Sequence, residues 1–189
     1  KELGLKAVDW NSYLPINPDI LEEKKIDVRY LGYYEKWHPQ GAYYYAVDNG
    51  GFQSSPERTA GTYSTYNSID DRIDDFHYHT TWIKFGIGRA TYDAAQEIRS
   101  GDLLREEGIA LVRKYDGEFP ERWAQEIFSY LSLDNKVIPN VDKFFERPKF
   151  DREYYDRLCD KFRSPHLWKW DDKNGWQLRH IIDFEDNYN

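Results

Sequence analysis

The chain has 189 residues, 40% hydrophobic and 17% aromatic, enough to bury a sizeable core in one domain, or in a domain and part of a second. Its net charge of -8 argues against nucleic acid as the main partner, because phosphate-backbone binding needs a concentrated basic face. No apolar run approaches the ~20 residues of a membrane span, and the single cysteine, Cys159, rules out an internal disulfide or a cysteine-built metal cage. A reducing cytoplasm is the expected setting. There is no methionine, and the opening Lys1-Glu2-Leu3-Gly4-Leu5-Lys6 reads neither as a signal peptide nor as a natural start, so a piece of a larger protein is expected.

In chain order, Asn17-Pro18-Asp19 supplies a cap, a first-turn proline and a first-turn acid for a short helix to about Lys25. Ile26 to Leu31 alternates as a strand, with Val28 and Tyr30 on one face. Pro39 to Asp48 reads as a helix closed by Asn49-Gly50-Gly51. A strand followed by a helix is the order found at the end of an α/β domain. From Asn67 the pattern turns to consecutive helices: one capped by Ser68 and running to about Lys84, then 91–99, 103–115 ending at Gly117, and Pro120 to Leu131. Pro139 and Pro148 punctuate a less regular stretch that begins at Asn135. Asp151 to Arg163 is helical, with Cys159 expected as a small buried residue. Leu167 to Trp170 and Trp176 to His180 form a hairpin through Asn174-Gly175, and its tryptophans pack as cross-strand neighbours.

The chemistry concentrates between Trp82 and Thr91, where Lys84, Gly86, Gly88 and Arg89 precede a helix start. Gly86 and Gly88 allow the backbone to turn N–H groups toward one point. Thr91 is a suitable N-cap, and a helix N-terminus attracts anions. Lys84 adds a point charge and Arg89 a fork for two phosphate oxygens. The alternative is an ordinary helix-to-helix turn with solvated charges, since neither G-x-G-x-x-G nor G-x-x-x-x-G-K-S/T is present.

Asp70, Asp71, Asp74 and Asp75 form an acidic cluster. On a helix, 70/74 and 71/75 repel by roughly 0.2 to 0.5 kcal/mol each, which a bound Mg2+ would offset; otherwise they are first-turn acids favoured by the helix dipole and screened by Arg72. His77 and His79, two apart, cannot share a metal as an i, i+4 pair would, and no metal site is expected from the histidines. His166 reads as a structural hydrogen-bonder. Tyr43, Tyr44 and Tyr45 sweep about 200 degrees on a helix, so one or two belong to the core and the rest are free to form an aromatic platform for a sugar or base.

The run Lys84 to Thr91, then Ile98-Arg99-Ser100-Gly101, Arg105-Glu106-Glu107, Tyr115-Asp116-Gly117 and Phe162 to Lys169, resembles the C-terminal half of the N-acetyl sugar amidotransferases of surface-polysaccharide biosynthesis. Leu31 to Trp37 and Ile69-Asp70-Asp71 fit the same pattern upstream. That resemblance implies an α/β fold: residues 1–65 as the end of a doubly wound ATP-pyrophosphatase-type domain, and 66–189 as a mainly helical region ending in a hairpin at about 167–180. It also implies that ATP adenylylates the acetamido oxygen of a sugar or nucleotide sugar. Ammonia, from a glutaminase through a partner similar to the cyclase of histidine biosynthesis, then displaces AMP to leave an acetamidino group.

By the same resemblance, Lys84 and Arg89 contact the pyrophosphate or triphosphate, Gly86, Gly88 and Thr91 shape the loop, and Asp70 and Asp71 meet Mg2+ or substrate. The S-G-G-x-D-S loop and the paired cysteines of the family are absent, and Leu104 replaces the expected cap ahead of Glu107, removing a capping box. This chain alone is therefore expected to be inactive on ATP. The alternatives are a non-catalytic module that docks the glutaminase or cyclase-like partner, and a carbohydrate-binding protein.

Overall fold

The computed structural model describes residues 6–180 other than 138 and 144, with all their side chains except that of Ala7. Residues 1–5 and 181–189, the ends of the two expected regions, lie outside the described residues. The chain divides into two compact units, Lys1–Trp37 with Asp134–Glu146, and His38–Leu133 with Arg147–Asn189.

The first unit holds α1 (Ala7–Trp10) and α2 (Pro18–Glu23). As the sequence indicates, Asn17 caps α2, its Oδ1 accepting the Asp19 N–H at 3.0 Å. The expected strand at 26–31 does not form. Tyr30 keeps extended dihedrals and the chain then enters a 3-10 turn at Leu31–Tyr33, but no second strand pairs with it, and an isolated strand leaves its backbone groups to water. Arg29 instead reaches Asp27 at 2.6 Å and Tyr34 at 2.7 Å. Among the described residues there is no parallel sheet, so the doubly wound α/β domain expected over 1–65 is replaced by short helices and turns.

The second unit is helical: α3 (Pro39–Gly50), α4 (Asp74–Phe85), α5 (Arg89–Ser100), α6 (Arg105–Tyr115), α7 (Ala124–Leu131) and α8 (Arg152–Phe162), followed by β1 (Trp168–Asp171) and β2 (Gly175–Leu178). The helix expected from Ser68 begins six residues later. Asp71 accepts the Ile73 N–H at 2.9 Å, a local side-chain bond that competes with helix initiation. The capping box ahead of Glu107 is half formed, because Glu107 accepts the Leu104 N–H at 2.9 Å even though leucine can return no bond. Tyr43 of α3 stacks on Tyr66 at 4.4 Å, while Tyr44 and Tyr45 stay exposed.

Phe76, Ile83, Ile127, Tyr155 and Cys159 form the core shared by α4, α7 and α8. Phe76 stands edge-on to Phe119, Phe128 and Tyr155 at 5.4 to 5.6 Å, the arrangement that ring quadrupoles favour. The antiparallel hairpin pairs Trp170 with Trp176 across the strands. Trp168 departs from the expected tryptophan cluster: it is 1% exposed, meets Trp82 edge-on at 4.8 Å, and donates its indole N–H to the Ile83 carbonyl at 2.8 Å. It thereby satisfies one of the carbonyls that the end of α4 leaves unpaired.

His79 packs among Trp82, Phe119 and Tyr155, with Nδ1 2.5 Å from the Tyr155 hydroxyl. Burial lowers its pKa from 6.5 to about 4; Arg163 and Arg152 push the same way and Asp156 opposes. The unfolded chain therefore binds a proton between about pH 6.5 and 4 that the folded chain refuses, so this stabilisation is full above pH 6.5 and is lost as pH falls toward 4. Urea unfolding at pH 7 and pH 5 should show the loss at pH 5, and a His79→Gln chain should show less of it.

Candidate functional site

The loop between α4 and α5 is the expected anion cradle. Gly86 closes α4 in the left-handed conformation, at φ +72, and Gly88 is the N-cap of α5. Thr91, expected as the cap, sits inside the first turn instead. The seat at this N-terminus is taken by a side chain of the protein itself. Asp116, just beyond α6, accepts the Gly88 N–H at 3.1 Å, the Thr91 N–H at 3.2 Å and the Thr91 hydroxyl. A Cβ at residue 88 would stand 2.5 Å from Asp116 Oδ1, so only glycine admits the carboxylate so closely. Burial raises the Asp116 pKa, and its bonds to Thr91, Gly88 and Ala90 oppose that rise. Gly117 follows at φ +83 with its Cα face against Trp82, which explains both residues of the Asp116-Gly117 pair.

Arg89 is likewise engaged. With 10% of its side chain exposed, it donates from Nε to Asp93 at 3.1 Å and from Nη1 to Ser68 at 3.2 Å, lies 3.7 Å from Asp74, and stacks on Tyr78 at 4.2 Å. Asp93 also accepts the Thr62 hydroxyl at 2.6 Å. Lys84 is exposed on α4, where its Nζ lies 5.2 Å from the Phe85 ring. No contact joins it to Arg89 among the described residues. Asp70 and Asp71 are exposed in the turn before α4, and among the described residues no three His, Cys, Asp or Glu side chains converge as a metal site. Asp116 occupies the α5 N-terminus where a triphosphate was expected.

A different pocket lies beside the start of α4. Arg58, Arg122, Glu57 and Asp75 line two adjoining clefts of about 420 and 190 Å3; the smaller adds Ser55, Thr59, Ser68, Arg72 and Trp123. Each arginine is held in place. Arg58 pairs with Glu118 through two bonds of 2.5 and 2.6 Å. Arg72 makes bonds of 2.7 and 2.8 Å to Glu126. Arg122 lies 3.2 Å from Glu57. Trp123 supports two of them, with the Arg72 and Arg122 guanidinium carbons 4.4 and 4.7 Å from its rings.

Asp75 has no such ion pair among the described residues. It is 8% exposed, and burial first, then neighbouring Asp74, raises its pKa from 3.8 to about 6; Arg122, the Ala60 N–H and Arg89 pull it back only in part. A largely buried carboxyl that exchanges its proton near neutrality, beside three oriented guanidinium groups in a cleft, has the attributes of a proton-transfer group next to an anion. Spacing alone did not separate Asp75 from its acidic neighbours. Its signal in the sequence was its place beside Phe76, on the face of α4 that turns inward.

The model of the LPS biosynthesis protein WbpG-like C-terminal domain covers residues 60–182, close to two thirds of the chain. The chain belongs to this family. No curated protein matches the sequence. The family segment includes Asp75, Arg89, Asp116 and Arg122, while Glu57 and Arg58 stand just ahead of it.

Replacing Asp116 with alanine leaves the Gly88 and Thr91 donors unpaired. It should destabilise the chain by about 2 kcal/mol in urea unfolding, whereas Asp70→Ala should change stability by less than about 0.5 kcal/mol.

Proposed function

We propose that the chain is the C-terminal portion of an ATP-dependent N-acetyl sugar amidotransferase of lipopolysaccharide biosynthesis, converting an acetamido group to acetamidino. Its membership of the lipopolysaccharide-biosynthesis family supports that setting, and the observation that carries the chemistry is Asp75 beside Arg58, Arg72 and Arg122. On this reading, Mg2+ and ATP bind in a part of the enzyme outside this chain. Ammonia comes from a glutaminase through a cyclase-like partner.

On this reading the arginine cleft has the anion-binding role that the sequence suggested for Lys84 and Arg89, with a phosphate of the nucleotide sugar displacing Glu118, Glu126 or Glu57 from the guanidinium groups. As the ammonia nitrogen bonds to the activated carbon and the bond to the AMP oxygen breaks, Asp75 accepts a proton from that nitrogen. A second reading, in which the chain docks the glutaminase or cyclase-like partner, draws on the aromatic surface of the first unit, where Tyr13, Tyr30 and Tyr33 are 82 to 86% exposed. Calorimetric titration of the chain with each partner tests it: heat is expected if the chain docks, and none rejects the docking reading.

For the enzymatic reading, Asp75→Asn in the complete enzyme should lower ammonia transfer by about 100-fold or more, with the fold intact. The same substitution should stabilise the chain at pH 8, by on the order of 2 kcal/mol. A carboxyl whose folded pKa is raised to about 6 is penalised once it ionises, and that penalty is absent near pH 4, where the proton is already bound. Unchanged turnover with raised stability would remove Asp75 from the chemistry.

A further inference from the structure

A second concave surface lies on the far side of α4. It is a groove of about 580 Å3 between α4 and α8, walled by Phe76, Ile83, Phe85, Leu131, Leu158 and Phe162. Phe76, Ile83 and Cys159 belong to the core, so the groove opens the hydrophobic interior to solvent. Phe85 and Phe162 are 54 and 56% exposed at its edges. Its size and apolar walls are those of a small-molecule site rather than of a packing defect.

The polar atoms in its lining are few, and most are already used. The Thr80 and Thr81 hydroxyls both donate to the His77 carbonyl at 2.8 Å. His79 takes the Tyr155 hydroxyl below the floor. No aspartate or glutamate lines the groove, although the chain carries a net charge of -8. One lysine, Lys84, stands in the lining, and it has no carboxylate partner among the described residues. His77, the other ionisable residue of α4 in the lining, is two helical turns away, on the order of 10 Å along the axis.

These features specify the ligand. Walls this poor in free polar atoms call for an apolar body, and one ammonium without a carboxylate partner among the described residues calls for a single negative charge. A dianionic phosphate would need more than one cation, whereas a carboxylate is matched by one. We propose that the groove binds a single-chain fatty acid, with its carboxylate on Lys84 Nζ and its alkyl chain along Phe85, Leu158 and Phe162. The site is distinct from the arginine cleft and does not depend on the amidotransferase reading.

Decanoate and decanol, titrated into the full chain by calorimetry with backbone NMR shifts recorded alongside, test the assignment. Decanoate should bind saturably, one per chain, and move resonances of Thr81, Lys84 and Leu158. Lys84→Gln, an exposed substitution that leaves the core untouched, should weaken decanoate three- to tenfold and leave decanol unchanged. Leu158→Trp should fill the groove and abolish both. Non-saturable binding, shifts confined to other regions, or equal affinity of the Lys84→Gln chain for decanoate would overturn the proposal. So would a groove closed by self-association, seen as a concentration-dependent sedimentation coefficient that Leu158→Trp removes.

Discussion

The arrangement of the second unit depends on one half-buried carboxylate, that of Asp116. Asp116 ties the residue after α6 to the first turn of α5, and with it fixes the corner where α4 gives way to α5. A charged acceptor at a helix N-terminus gains from the unpaired N–H groups and from the dipole together. Once Asp116 is seated, Gly117 must lie against Trp82, and Trp82 in turn meets Trp168. The hairpin is thereby joined to the helices through the Trp168 bond to the end of α4. Residues 82 to 91, 115 to 117 and 168 therefore act as one structural unit, although they are far apart in the sequence.

That unit accounts for the motif that dominated the sequence. Two glycines, a helix start and adjacent cations describe an anion seat, and the local chemistry does build one. The anion that fills it is the chain's own aspartate, 28 residues after Gly88. Periodicity and spacing describe a donor set well, but they do not reveal which acceptor arrives from a distant segment. The same limit applies to Arg89: its fork was legible, while Asp93, Ser68 and Asp74 around it depend on how α4 and α5 cross.

Local signals were read correctly where capping and turn chemistry decide the outcome. Asn17 caps α2, Gly51 closes α3 in the left-handed conformation, and the expected hairpin forms, its turn at 172–174 with Gly175 opening β2. They failed where a partner was required. The alternation from Ile26 to Leu31 has the period of a strand but no neighbouring strand to pair with. Ser68, chosen as a helix cap, does bond an early helical acid, Asp74, but from six residues away and while also receiving Arg89.

The pairing of charges also explains why the chemistry is assigned to one carboxylate rather than another. Asp93 and Asp75 are equally buried and sit on helices that pack together, yet Asp93 faces the Arg89 guanidinium at 3.1 Å and accepts a hydroxyl besides. Asp75 has the backbone N–H of Ala60 and no ion pair with the arginines that share its cleft among the described residues. Burial raises the pKa of both, and at Asp93 the adjacent Arg89 and the Thr62 hydroxyl oppose that rise directly. The arginines that line its cleft are directed to Glu118, Glu126 and Glu57 instead. Such a carboxyl is poorly justified as a structural element, because a neutral residue of the same shape would stabilise the fold more. On the proposed amidotransferase reading, a reaction that uses its proton offsets that cost.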